Sequence, residues 1–158
     1  MNDNALFDTL RFARSAVLSL VNDVSEEAAD TIPNGFRNNI RWHLGHIYIV
    51  QENLIFGAAH IHRTLPEGFK EAFSMGTSPA DWKSRPASLD TLKEVLTSQS
   101  GRVVEAFEGK LDDALPSPVK IGSVEMSAPR DLISFAVFHE GQHIGIIKGL
   151  KYAINGRV

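Results

Sequence analysis

The chain has no cysteine among its 158 residues. That excludes disulfides, thiolate metal sites and a cysteine nucleophile together. A cysteine-free chain fits a reducing compartment, and a cytoplasmic location is expected. Charge of one sign is lacking as well: sixteen basic and nineteen acidic residues leave a formal net charge of −3. The basic residues are scattered, so neither a nucleic-acid nor a membrane surface is expected. No apolar run approaches the roughly 20 residues needed to cross a bilayer. The opening MNDNALFDTLRFARSAV has no basic stretch followed by an apolar one, so no signal peptide is expected. Repeats and low-complexity segments are also absent. What remains is 43% hydrophobic, with the length of one ordinary domain over residues 1–158, enough for a core without cross-links.

The patterning is helical almost throughout. Leu6, Leu10, Ala13, Val17 and Leu20 fall on one face of a first helix over 3–22. Pro33 and Gly35 interrupt the pattern, and a second helix runs over 38–62 with Ile40, Leu44, Ile47, Leu54 and Ala58 on one stripe. A loop rich in Pro, Gly and Ser follows. Ser88 can cap a third helix that faces Leu89, Leu92, Leu96, Val103 and Phe107 inward. After a connection with a short extended piece at 119–124, Ser127 and Pro129 open a fourth helix to about residue 154, with Gly156 just past its end. The expected fold is all-α, an antiparallel four-helix bundle, with the up-and-down order left open by the long loop after the second helix.

FHEGQHIGII, within the fourth helix, contains His139-Glu140-Gly141-Gln142-His143, the H-E-x-x-H pattern of zinc proteases. Positions four apart differ by only about 40° around a helix. Both imidazoles therefore join the stripe of Leu132, Phe135, Ala136, Ile146, Ile147 and Leu150. Burying two histidines there is costly unless each ring nitrogen finds a partner, and a metal ion is a partner that suits the pair. A zinc protease of this pattern takes its third ligand from downstream. The residues after His143, IGIIKGLKYAINGRV, include no Asp, Glu or His. The protease reading is therefore a distant third, and Glu140 is at most a candidate acid or base. A third ligand must come from upstream, where His43 and His46 are the candidates; periodicity slightly favours His43 and leaves the choice open. His60 and His62 read as surface residues near a helix end.

The segment Trp42-His43-Leu44-Gly45-His46-Ile47, with His139-Glu140-Gly141-Gln142-His143-Ile144-Gly145, resembles the DinB/YfiT superfamily of metal-binding four-helix bundles. The resemblance covers the whole chain. It implies His46, His139 and His143 as ligands of one divalent metal ion (Zn, Ni, Fe or Mn) and makes His43 a neighbouring residue. Three histidines leave a coordination position open for water or substrate. The metal can lower the pKa of a bound water or of a low-molecular-weight thiol cosubstrate, and the family includes thiol-dependent transferases and isomerases as well as hydrolases. A small-molecule substrate and a homodimer are implied too. Glu140, Gln142, Asn53 and Glu52 are the acid, base or supporting candidates. Trp42, Phe135 and Phe138 are candidate pocket walls, and Arg41 and Lys148 candidate anion contacts. Ile146, where relatives carry a polar residue, suggests a less polar pocket. The rival from another class is a non-catalytic bundle that binds a ligand or partner in a stress response.

Overall fold

In the computed structural model, which describes residues 3–156, the apolar stripes become four long helices. They are α1 (Asp3–Leu20), α3 (Ile40–Gln51), α5 (Leu89–Phe107) and α6 (Pro129–Ile154), with short helices α2 (Glu26–Asp30) and α4 (Phe69–Phe73) in the connections. A π-helical segment, Glu52–Gly57, continues α3, and Pro79–Asp81 forms a 3₁₀ turn. Strands β1 (Val119–Ile121) and β2 (Val124–Met126) make a small hairpin, with Val119 opposite Met126. The chain is therefore mostly helical, and no helix among the described residues is long and apolar enough to cross a membrane.

Local chemistry sets the helix ends. The Asn39 side chain accepts from the Trp42 backbone N–H at 2.9 Å and starts α3, while Ser88 accepts from Thr91 at 3.0 Å and starts α5. Ser127 does not cap α6. Instead the Asp131 carboxylate reaches back to the Ser127 and Ala128 backbone N–H groups, each at 3.0 Å. Pro129 follows in the first turn, where its missing N–H costs nothing, and Gly156, at φ 65, ends the helix. The second helix stops short of residue 62. Buried Glu52 accepts from the Thr64 backbone N–H at 2.8 Å and folds the following chain back, with His60 left-handed at φ 54.

Contacts at the helix ends give the directions. Leu6 and Phe7 share an apolar cluster with Leu132 and Ile133, and at the other end Lys151 Nζ donates to the Leu20 carbonyl. So α1 and α6 run the same way. Arg41, early in α3, donates to the Ala87 carbonyl just before α5, and at the far end Phe56, in the π-helical continuation of α3, meets Phe107, the last residue of α5. So α3 and α5 also share a direction, opposite to the first pair. The order is up-down-down-up. Antiparallel neighbours are α1 with α5 and α3 with α6, and residues 58–88 carry the chain back along the length of the helices. Two apolar clusters fill the ends of the core. Between them lies a buried layer with one polar side chain from each long helix: Arg14, Gln51, Gln99 and Glu140.

Candidate metal centre

His139 and His143 project from consecutive turns of α6, and their Nε2 atoms are 3.2 Å apart. His46, from α3, faces both, with ring centroids 5.3 and 5.2 Å away. One nitrogen from each of the three lies within 4.8 Å of the others, which makes them the group able to hold a metal ion among the described residues. His43 lies one turn before His46 and stands outside that group. Its Nδ1 is 2.7 Å from His143 Nδ1.

Gly45 explains how His46 is held. A Cβ there would lie 2.3 Å from Phe73 Cγ, so only glycine lets the Phe73 ring rest against α3. That approach brings the Phe73 carbonyl to 2.7 Å from His46 Nδ1. With its proton donated to the carbonyl, Nδ1 leaves Nε2 as the nitrogen with a free lone pair. Trp42 stacks on the His46 ring with centroids 4.4 Å apart, and is itself anchored by Nε1–H donation to Thr77 Oγ1 at 2.8 Å. Phe135 flanks His139. His46 is thus oriented through its second ring nitrogen, as ligating histidines are, whereas His139 has only the flanking ring.

Burial keeps these rings neutral. It pushes His139 and His43 down to about 4, with the His46 ring adding a smaller effect on each. His143 falls to about 2 through burial and then the neighbouring imidazoles. His46 is lowered by burial, an effect the Phe73 carbonyl partly offsets. Neutral imidazole is the form that binds metal. The 3.2 Å between the His139 and His143 Nε2 atoms fits as well: metal–nitrogen bonds of about 2.0–2.1 Å at tetrahedral angles separate ligand nitrogens by about 3.3–3.4 Å. His139 Nδ1 is buried without any hydrogen-bond partner, so nothing in the protein fully satisfies this ring. A donor set of converging neutral imidazoles, one of them incompletely satisfied, fits a divalent cation.

The remaining candidates are placed differently. Glu140 is fully buried, accepting from Arg14 Nε at 2.8 Å and from Gln51 Nε2 at 2.8 Å. Its carboxylate belongs to the polar layer and is not one of the grouped ligands. Glu52 is likewise engaged, by Arg102, Gln99 and the Thr64 backbone. Arg41, a candidate anion contact, is buried between Glu26 and Asp30. Gln142 and Lys148 are exposed, and so are His60 and His62, as expected. Phe138 is 58% exposed, and Ile146 sits at the rim of the stripe at 38%. Asn53 is exposed, its Oδ1 accepting from Arg63. Neither the Phe73 carbonyl nor the partners of Glu140 could be read from the sequence. The first is a backbone group, and the second come from two other helices, α1 and α3.

The family model of the DinB superfamily matches residues 9–147. The chain belongs to the DinB superfamily. A solved structure, the crystal structure of a conserved protein from Enterococcus faecalis, is similar with a TM-score of 0.68 and 16% identity, covering 99% of this chain and 98% of that one. At that identity the likeness concerns the fold alone. No curated protein matches. Membership in the DinB superfamily agrees with the resemblance carried by the two histidine segments.

Proposed function

We propose that this DinB superfamily protein is a four-helix-bundle enzyme that uses one divalent metal ion, held by His46, His139 and His143, to act on a small molecule. The observation that carries this reading is the convergence of three neutral imidazoles, with two Nε2 atoms 3.2 Å apart. A metal there would supply Lewis acidity, lowering the pKa of a bound water or thiol. The protein contributes the rest: it fixes the ring orientations through Phe73 and His43 and keeps the imidazoles uncharged.

Thiol-dependent transfer is favoured over hydrolysis. Among the described residues no carboxylate is grouped with the histidines, and Glu140 is committed to Arg14 and Gln51. A thiol, ordinarily near 8.5, needs its pKa lowered by about two units to ionise at neutral pH, whereas water must come down from about 15.7. The reaction that asks less of the protein is the one with a thiol as nucleophile. Without cysteine the chain must take that thiol as a cosubstrate. The same placement of Glu140 removes the general base that a protease reading needs. A homodimer is part of the proposal, supported by exposed Phe138 and Tyr152 on α6, and light scattering reads it.

The test is elemental analysis of untagged protein. About one divalent metal per chain is expected in the wild type and in His43→Ala at saturating metal. It should be lost in His46→Ala, His139→Ala and His143→Ala. No metal in the wild type after reconstitution would leave a bundle with buried histidines and favour the non-catalytic rival.

A further inference from the structure

The face of α3 that carries His46 continues past it. Val50 follows one turn on, at the spacing that keeps side chains on one helix face, Asn53 lies just beyond in the π-helical segment, and both line a cleft of about 390 Å³. The opposite rim includes Ser74 and Met75, the residues directly after Phe73, whose carbonyl holds His46. The histidines do not line the cleft themselves; it begins one helical turn beyond His46 at Val50 and, on the loop, at the residue after Phe73. Leu54, from the π-helical segment, and Val119, from the hairpin, complete an apolar wall.

None of the described residues lining the cleft is charged. The two serines there are already committed: Ser74 Oγ donates to the Lys70 carbonyl, and Ser117 Oγ pairs with His60 Nε2. Asn53 differs. Its Oδ1 accepts from Arg63 at 2.8 Å, which fixes the amide orientation and leaves the Nδ2 protons as donors at the cleft. An apolar wall with one amide donor favours uncharged molecules over ions, whose charge is better solvated by water; the cation next to it, Arg63, is engaged by Asn53 Oδ1. The volume is at the small end of ligand pockets, with room for an aromatic ring and its substituents.

We propose that this cleft holds the substrate of the metal site and selects an uncharged, largely apolar molecule carrying a hydrogen-bond acceptor for Asn53. This inference rests on the function proposed above and gives it a substrate class.

The test follows backbone amide NMR signals of the zinc-loaded protein titrated with three probes of one size: acetophenone, benzoate and benzylammonium. Acetophenone should shift the signals of Val50, Asn53 and Met75 and bind at least about tenfold more tightly than either ion. Val50→Trp, which fills the cleft from a half-buried position, should weaken it by about tenfold or more at unchanged zinc content. Asn53→Asp, similar in shape but without the donor, should weaken it by a smaller factor. Cobalt in place of zinc should broaden the ring protons of bound acetophenone.

Equal binding of benzoate, shifts confined to other regions, an unaffected Val50→Trp protein of native thermal midpoint, or sharp probe signals with cobalt would each overturn the proposal. The two readings fail separately. One metal per chain with no acetophenone binding sinks the cleft alone. Acetophenone binding without metal uptake by the wild type sinks the metalloenzyme reading.

Discussion

Helix α6 carries two buried polar clusters side by side, and they are built on opposite principles. Glu140, next in sequence to His139, meets Arg14 and Gln51, and Arg14 in turn reaches Gln99 and the Leu96 carbonyl. Every group in that layer has a partner of opposite charge or complementary hydrogen bonding. The histidine cluster has like facing like. His139 and His143 turn nitrogens toward each other, and His139 Nδ1 has no partner. A satisfied network has no need of a ligand, whereas an unsatisfied one built from metal-binding side chains invites one. The contrast separates residues that hold the helices together from residues with the chemistry to hold a ligand, although the two sets are adjacent in the sequence.

The sharpest way to break this comparison is Glu140→Ala. It leaves the Arg14 guanidinium buried and unpaired, and loss of one partner of a buried ion pair costs about 3–5 kcal/mol. Urea unfolding should show that loss, while any folded fraction still takes up metal. A Glu140→Ala protein of wild-type stability that binds metal but has lost all activity would move Glu140 into the site and undo the distinction.

Metal-linked stability comes next. A metal present at about a thousand times its Kd stabilises the folded state by about 4 kcal/mol, and His139→Ala should abolish that gain. Differential scanning calorimetry with and without zinc reads it. The metal-free protein should also lose stability as pH falls. Above about 6.5 the histidines are neutral in both states and pH has little effect. Below it the unfolded chain takes up protons that His43 and His139, held near 4, and His143, near 2, refuse until lower pH. Acidification from 6.5 toward 4 therefore favours unfolding. A flat profile over that range would mean the rings protonate freely and are not held neutral by burial.

Gly45→Ala probes how the site is built. The added methyl meets the Phe73 ring at 2.3 Å, and overpacking of this kind costs about 1–3 kcal/mol. If Phe73 shifts to relieve the clash, its carbonyl leaves His46 and metal affinity falls as well. Unchanged stability and affinity would show that the close approach is dispensable.

Much of this was legible in the sequence, for a physical reason. Apolar periodicity reports burial, so the inward residues Leu89, Leu92, Leu96, Val103 and Phe107 are all buried as expected. Adjacent turns share a face, so His139 and His143 converge. Long-range pairing leaves no such trace. Glu140 reads as a solvated or catalytic carboxylate until Arg14, 126 positions away, is seen beside it. Helix direction was open for the same reason, since a long connection is compatible with either sense. His43 and His46 share a helical segment and differ in the partners supplied by α6 and α4, which periodicity along α3 cannot register.

The smallest effect tests that last difference. For His143 Nε2 to offer its lone pair beside His139, the ring proton must sit on Nδ1, and the group 2.7 Å from Nδ1 is His43 Nδ1. His43 must then accept there, with its own proton on Nε2. Its low pKa serves this, because a protonated His43 would present a donor to a donor. Removing such a supporting partner typically weakens metal binding by about 10–100-fold without abolishing it. His43→Ala is therefore expected to keep its metal at saturation and to show reduced affinity against a competing chelator. His43→Gln, whose side-chain oxygen can accept, should recover part of the loss. If His43→Ala instead loses its metal entirely while His46→Ala retains it, the two histidines exchange roles and the cluster has to be redrawn around His43.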